Sequence, residues 1–211
     1  GVITNLLLEE LEAKGYCFQN VVALQDQNDP LPLEAIRTIL KWLPHVYDEH
    51  LGTGDCLLRS LYSAGEQYDP SVLIDLFENS DHNETVKSCI GRVLSLTPTG
   101  NISGWLKYQL SHKPHSFGRA GLLDGIVPKG DFQSKEELKQ FLIAIFDKYA
   151  YYEAFQRLFQ KYGDPEDIPF LVLKSQQLEN KRTAREIRKV ADKISTRKRA
   201  ARFPQRNNIQ R

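Results

Sequence analysis

Methionine is absent from the 211 residues, tryptophan occurs only at positions 42 and 105, and cysteine only at 17, 56 and 89. Three widely spaced cysteines with no Cys-x-x-Cys pair argue against a zinc site and against a disulfide framework. Cys17, Cys56 and Cys89 therefore read as reduced core residues. No apolar run approaches the roughly 18 residues of a membrane span. Glu9, Glu10 and Glu12 stand among leucines in the first fifteen residues, where a secretory signal would have a basic start and a small-residue cleavage site. A cytoplasmic location without membrane contact is the expectation. The sequons at Asn83 and Asn101 are then chance matches. The phosphate-binding GxxxxGK[ST] loop is missing, as are GxSxG and HExxH. His112 and His115 flank Lys113-Pro114 with no carboxylate at a rigid helical spacing, a poor start for a metal site. No catalytic residue, metal or cofactor is expected. Gly52-Thr53-Gly54, just before a helix, is the nearest approach to an anion nest.

Apolar residues make up 41% of the chain and charged residues 26%, enough to build a core and too few charges for wholesale disorder. The apolar positions recur at three- and four-residue steps, the mark of a helix with one buried face. Leu33, Ile36, Leu40, Leu43 and Tyr47 follow that rule, as do Tyr152, Phe155, Phe159 and Tyr162. Alternating strand-like stretches are missing. Pro44 predicts a kink or an end in its helix. Asp29-Pro30, Asp69-Pro70 and Asp164-Pro165 read as helix openings, with proline in the tolerated first turn. With Thr99-Gly100 and Gly130-Asp131, these breaks divide the chain into steps of about 30–40 residues, each holding two helical patterns. The units are 30–68, 69–98, 99–130, 131–163 and 164–196. Cys56 and Cys89 lie one such period apart; each precedes an arginine by three residues, Arg59 and Arg92, and a leucine follows two further on.

Leu31 to Ala64, with Ala35-Ile36, Leu40-Lys41-Trp42-Leu43-Pro44 and Arg59-Ser60-Leu61, resembles HEAT-type repeats of the kind found in uncharacterised bacterial HEAT-repeat proteins. Gly163-Asp164-Pro165-Glu166-Asp167-Ile168-Pro169-Phe170-Leu171, ending at Val190-Ala191-Asp192-Lys193-Ile194, resembles another such unit. The resemblance implies an all-α, right-handed α-solenoid of about five helix pairs, in which second helices line a concave face and bind partners. Residues 1–29 would hold an N-terminal capping helix, Val2 to Lys14, laying Leu6, Leu7 and Leu11 on the next unit, and a linker. Residues 30–196 would form the array and 197–211 a basic, flexible tail. Gly118, Gly121 and Gly125 depart from the pattern in the middle unit.

Charge is distributed unevenly. Residues 181–211 carry twelve Lys or Arg against Glu186 and Asp192, a net +10, whereas the rest of the chain is −9. Such asymmetry points to an acidic or nucleic-acid partner, or to a tail folded back on its own acidic body. The basic candidates there are Arg197, Lys198, Arg199 and Arg202. A second series, Arg59, Arg92, Arg119, Arg157 and Arg188, falls one per second helix. It is either a structural ladder, each arginine paired with a carboxylate such as Asp55, or a row of forked donors for a partner. For Arg59 and Arg92 the spacing to a core cysteine predicts partial burial. The aromatic cluster Phe146, Tyr149, Tyr152, Phe155, Phe159 and Tyr162 reads as core, with Tyr151 off its stripe as an exposed anchor. The expected function is a non-enzymatic protein-binding scaffold, monomeric or weakly self-associating. The alternative is a nucleic-acid binder, including a repair activity like that of the HEAT-like alkylpurine DNA glycosylases. Widely separated tryptophans and an acidic body speak against the latter.

Overall fold

In a computed structural model of the chain, residues 1–79, 83–197 and 203–204 are described. Among them all regular structure is helical, apart from two isolated parallel bridges. The chain divides into two compact units, Gly1–Leu110 with Ser116–Gly130, and Ser111–His115 with Asp131–Arg211.

The first unit contains α1 (Val2–Ala13), α2 (Val21–Gln25), α3 (Leu33–Glu49), α4 (Leu51–Ser60), α5 (Ser71–Asn79), α6 (Glu84–Leu96) and most of α7 (Ser103–Ser111). It closes with α8 (Phe117–Ala120), which runs through a 3-10 stretch, Gly121–Gly125, into α9 (Ile126–Lys129). Packing follows two rows. Helix α1 lies on α3 and α3 on α5; α2 lies on α4, α4 on α6, and α6 on residues 117–125. Helices α3 and α4, and α5 and α6, also pack as sequential pairs. The periodic leucines and isoleucines explain the arrangement. Ile36, Ile39, Leu43 and Val46 of α3 are fully buried, as are Leu7 and Leu11 of α1 and Leu57 and Leu58 of α4.

Backbone ties repeat at the same interval. Leu31 forms a parallel bridge with Ala64, and Tyr68 with Thr99. The Glu66 carboxylate accepts from Leu33 N at 2.7 Å, at the start of α3. Glu84 accepts from Gly118 N at 2.6 Å, at the start of α8. Both place negative charge at a helix N-terminus, where the dipole favours it. The opposite end is served by Lys129, whose ammonium donates to Leu94 O at 2.6 Å, to Thr97 O and to Thr99 Oγ1 at 2.7 Å, below the C-terminus of α6. Burial lowers the Lys129 pKa to about 8.

Several sequence expectations are corrected here. Of the two outcomes expected at Pro44, an end does not occur: α3 continues to Glu49, because burial of Leu43, Val46 and Tyr47 on both sides of the proline outweighs one missing backbone bond. Asp29-Pro30 opens no helix: Leu31 is taken into the bridge, and α3 begins after Pro32. The cysteines are free but are not core: Cys17 is exposed, Cys56 and Cys89 half-buried. Leu6 is 41% exposed, so of the three leucines only Leu7 and Leu11 are core residues of α1. Gly52-Thr53-Gly54 is no nest but the first turn of α4, where His50 Nδ1 accepts from Thr53 N at 3.1 Å. Gly54 is pressed against the Tyr47 ring; a Cβ there would come within 2.4 Å of it.

The three glycines that break the repeat pattern have a packing cause. Gly118, Gly121 and Gly125 share one helical face, turned to α6. A Cβ on Gly121 would stand 2.6 Å from the Ser88 carbonyl oxygen, and one on Gly125 2.6 Å from Ser95 Oγ. Gly91 of α6 faces them, with the Gly118 carbonyl 3.3 Å from its would-be Cβ. Without side chains the two backbones come close together, and Leu122, Leu123 and Ile126 are buried.

The second unit contains α10 (Lys135–Ala144), α11 (Phe146–Tyr149), α12 (Glu153–Tyr162), a 3-10 turn, Pro165–Asp167, leading into α13 (Ile168–Gln177), and α14 (Lys181–Thr196). Helix α12 packs on α10 and α14, and α13 packs on α14. Its core is aromatic. Phe146 meets Phe155, Phe159 and Phe170 edge-on, with ring centres 5.3–6.1 Å apart. Lys139 is buried beside this core, within 3.1 Å of Asp167, 3.2 Å of Asp164 and 3.3 Å of Glu136. Burial opposes its charge, but the hydrogen bonds to Asp167 and Asp164 prevail and raise its pKa. Asp164 and Asp167 form a capping box at the turn, as the Asp164-Pro165 signal predicts.

Candidate partner-binding face

Helices α4 and α6 pack side by side and present one outward stripe each. On α4 it is Asp55, Arg59 and, at the following turn, Tyr62; on α6 it is Cys89, Arg92 and Leu96. The spacings of three and four residues place each set on one face. Arg59 is exposed and, among the described residues, makes no hydrogen bond or ion pair. Tyr62 and Leu96 are 46% and 51% exposed. Arg92 Nε lies 3.4 Å from Asp124 Oδ2, with the arginine side chain still 58% exposed. Burial raises the Tyr62 pKa despite the nearby Arg92 and Arg59, so the phenol keeps its proton and remains a donor. Below the stripe, Tyr47 donates to Asp55 at 2.9 Å. Burial, reinforced by the Asp55 charge, raises the Tyr47 pKa well above its ordinary value.

The arginine series thus splits. Asp55 is committed to Tyr47 and, among the described residues, forms no ion pair with Arg59. Neither Arg59 nor Arg92 is as buried as their spacing from Cys56 and Cys89 predicts, because the cysteines themselves sit at the margin of the core. Arg119 is half-buried and donates from Nε to Gln109 Oε1 at 3.2 Å, and Gln109 in turn donates to Glu78 at 2.7 Å. Arg157 pairs with Glu153 one turn back on α12, both exposed. Arg188 donates to Ser175 Oγ at 3.2 Å, which joins α14 to α13. Arg59 and Arg92 both lie close to the exposed ring of Tyr62, on the turn that follows α4. Tyr151, 48% exposed, lies instead against His115 in the second unit, with ring centres 6.3 Å apart.

Of the basic tail, Arg197 is described. Its guanidinium donates to Gln160 O, Lys161 O and Gly163 O at 2.5–2.9 Å and closes the C-terminus of α12. Phe203 stands edge-on to Tyr162 at 6.2 Å. Lys198, Arg199 and Arg202 lie outside the described residues. Both tryptophan indoles are held by carboxylates, Trp42 by Glu10 at 2.8 Å and Trp105 by Glu78 at 2.7 Å. Among the described residues no group of three or more His, Cys, Asp or Glu side chains is placed to hold a metal ion. Among the described residues no helix is long and apolar enough to cross a membrane.

Tyr62 and Asp124 escaped sequence reasoning. Tyr62 stands just beyond the regular part of α4. Asp124 belongs to the 3-10 stretch whose register the glycines obscure, and only its approach to Arg92 reveals it. Compared with known protein families, curated proteins and solved structures, the chain matches none.

Proposed function

We propose that each unit is a stretch of right-handed, HEAT-like solenoid, with helix pairs at 33–63, 71–96 and 103–129 in the first and 135–162 and 165–196 in the second, α1 acting as the cap. In the first unit the two-row packing and the recurring loop bridges support this reading, and in the second the packing of α12 on α10 and of α13 on α14 as sequential pairs does. The function proposed is non-enzymatic: a scaffold that binds a protein segment across the outward stripes of α4 and α6. One observation carries it. Arg59 has no partner among the described residues and shares its face with Tyr62 and Arg92. Arginine and tyrosine are the residue types on which binding energy concentrates, and the two guanidinium forks suit a carboxylate-bearing segment.

The test is an affinity pull-down with the full chain, analysed for both protein and nucleic acid, beside the double variant Arg59→Ala/Arg92→Ala and Tyr62→Ala. The arginine variant should melt as the wild type does, since both guanidinium groups are exposed; Tyr62→Ala, which removes a half-buried ring, should stay folded with a small loss of stability, and both should lose the partner. Folded variants that recover the same partner refute the proposal. The nucleic-acid alternative has its own support in the exposed Lys181, Arg182, Arg185 and Lys189 of α14. It predicts nucleic acid in the wild-type eluate and its steep loss with salt.

A further inference from the structure

The two units carry opposite charge. The first holds nine Lys and Arg against sixteen Asp and Glu, a net −7; the second holds nineteen against eleven, a net +8. That opposition is concentrated on two helices. Helix α1 buries Leu7 and Leu11 on one side and turns Val2, Asn5, Glu9 and Glu12 outward. Its third glutamate, Glu10, is used internally by Lys14, Lys41 and Trp42, whereas Glu9 and Glu12 make no hydrogen bond or ion pair among the described residues. They rim an open depression of about 380 Å³ that Leu8 and Phe18 also line. Carboxylates at the rim and apolar groups beside them fit the side chain of lysine or arginine, whose stem is apolar and whose head is charged.

Helix α14 is the counterpart. Thr183, Ile187, Val190, Ala191 and Ile194 face inward, and Lys181, Arg182, Arg185 and Lys189 face solvent. Lys181, Arg182 and Arg185 also lack hydrogen bonds and ion pairs among the described residues. Only Glu186, tied to Lys189 at 2.9 Å, and Asp192 interrupt the basic surface. We propose that the chain associates with a second copy of itself head to tail, the basic outer face of α14 seating its side chains in the acidic depression on α1. This goes beyond the partner-binding face of α4 and α6 and uses none of its residues. A contact between two different patches is heterologous. It leaves one free patch of each kind on a dimer, so association continues into longer oligomers unless a ring closes. Complementary charge also makes it dependent on salt.

Sedimentation velocity of the full chain over a concentration series tests this. At about 0.01 M salt the screening length is about 30 Å, and at about 0.15 M about 8 Å. Species larger than the monomer are expected at low salt, weakened about tenfold or more at the higher salt. Glu9→Lys/Glu12→Lys alone and Arg182→Glu/Arg185→Glu alone should each be monomeric, since each leaves like charges opposed. Mixed, they should restore association in oligomers that alternate the two variants, because the basic α14 of the first meets the acidic α1 of the second and the two reversed faces are complementary as well. That rescue also shows that both variants are folded. A wild type that stays monomeric at low salt overturns the proposal. So does association that persists in either variant, or a mixture that fails to associate. Duplex DNA added as a probe separates the other occupant: DNA bound by a strictly monomeric wild type would assign α14 to phosphate backbones instead.

Discussion

Replacing Gly121 by alanine tests the close approach of α6 to residues 117–125 with a single methyl group. The backbone at Gly121 is ordinary right-handed helix, so alanine suffers no conformational penalty and even gains about 0.4–1 kcal/mol from the reduced freedom of the unfolded chain. Against this stands the contact. The new Cβ would lie 2.6 Å from the Ser88 carbonyl oxygen and 3.1 Å from Ser88 Cα. Ordinary contact begins near 3.4 Å, so a backbone segment must retreat by most of an ångström, and no rotamer change can relieve it. Overpacking of this kind costs about 1–3 kcal/mol, and because the obstruction is rigid backbone the cost falls in the upper half of that range, which leaves a net loss of about 1–2 kcal/mol after the unfolded-state gain. Gly104 is the internal control: it is exposed in the first turn of α7, and a Cβ there meets nothing within 4 Å. Gly104→Ala should therefore stabilise the protein by about 0.5 kcal/mol. Urea unfolding followed by circular dichroism measures both. With a slope of about 2 kcal/mol/M, the midpoint should fall by about 0.5–1 M for Gly121→Ala and rise slightly for Gly104→Ala. The double variant Gly121→Ala/Ser88→Ala should be no better than Gly121→Ala, because the obstruction is backbone. A Gly121→Ala protein as stable as the wild type would refute the packing argument.

Lys139→Met should cost on the order of 3 kcal/mol, because it strands Asp167 and part of Asp164 in a buried site; a urea midpoint close to that of the wild type would count against the buried ion cluster. Acid should act through Glu10, whose pKa the hydrogen bonds from Lys41, Trp42 and Lys14 lower from 4.5 to about 2. The folded state then binds fewer protons than the unfolded one in that window, so the Glu10 contribution is present above pH 4.5 and is lost as the pH falls towards 2. Trp42 fluorescence in a Trp105→Phe background should report the release of α1, and Glu10→Gln should flatten the dependence.

The sequence by itself determined that the protein is all-α. A three-to-four-residue apolar rhythm from Leu33 to Ile194, with no alternating stretch, leaves one buried face per helix and no strand to pair. It also located most helix breaks, because Asp69-Pro70 and Asp164-Pro165 carry their own capping chemistry. Tertiary structure decided what local signals leave open. Pro44 lies within α3 because packing on both sides outweighs one backbone bond. Gly118, Gly121 and Gly125 look like helix breakers in isolation and are explained only by the backbone of α6 opposite them. Cys56 and Cys89 have core-like spacing, yet sit at the core margin, where the depth of a residue depends on the neighbouring helix rather than on its own. The separation of Arg59 from Arg119, Arg157 and Arg188 is of the same kind. Spacing placed one arginine on each second helix, but whether a guanidinium meets a carboxylate, an amide, a hydroxyl or only solvent depends on side chains tens of residues away that folding brings within 3.5 Å.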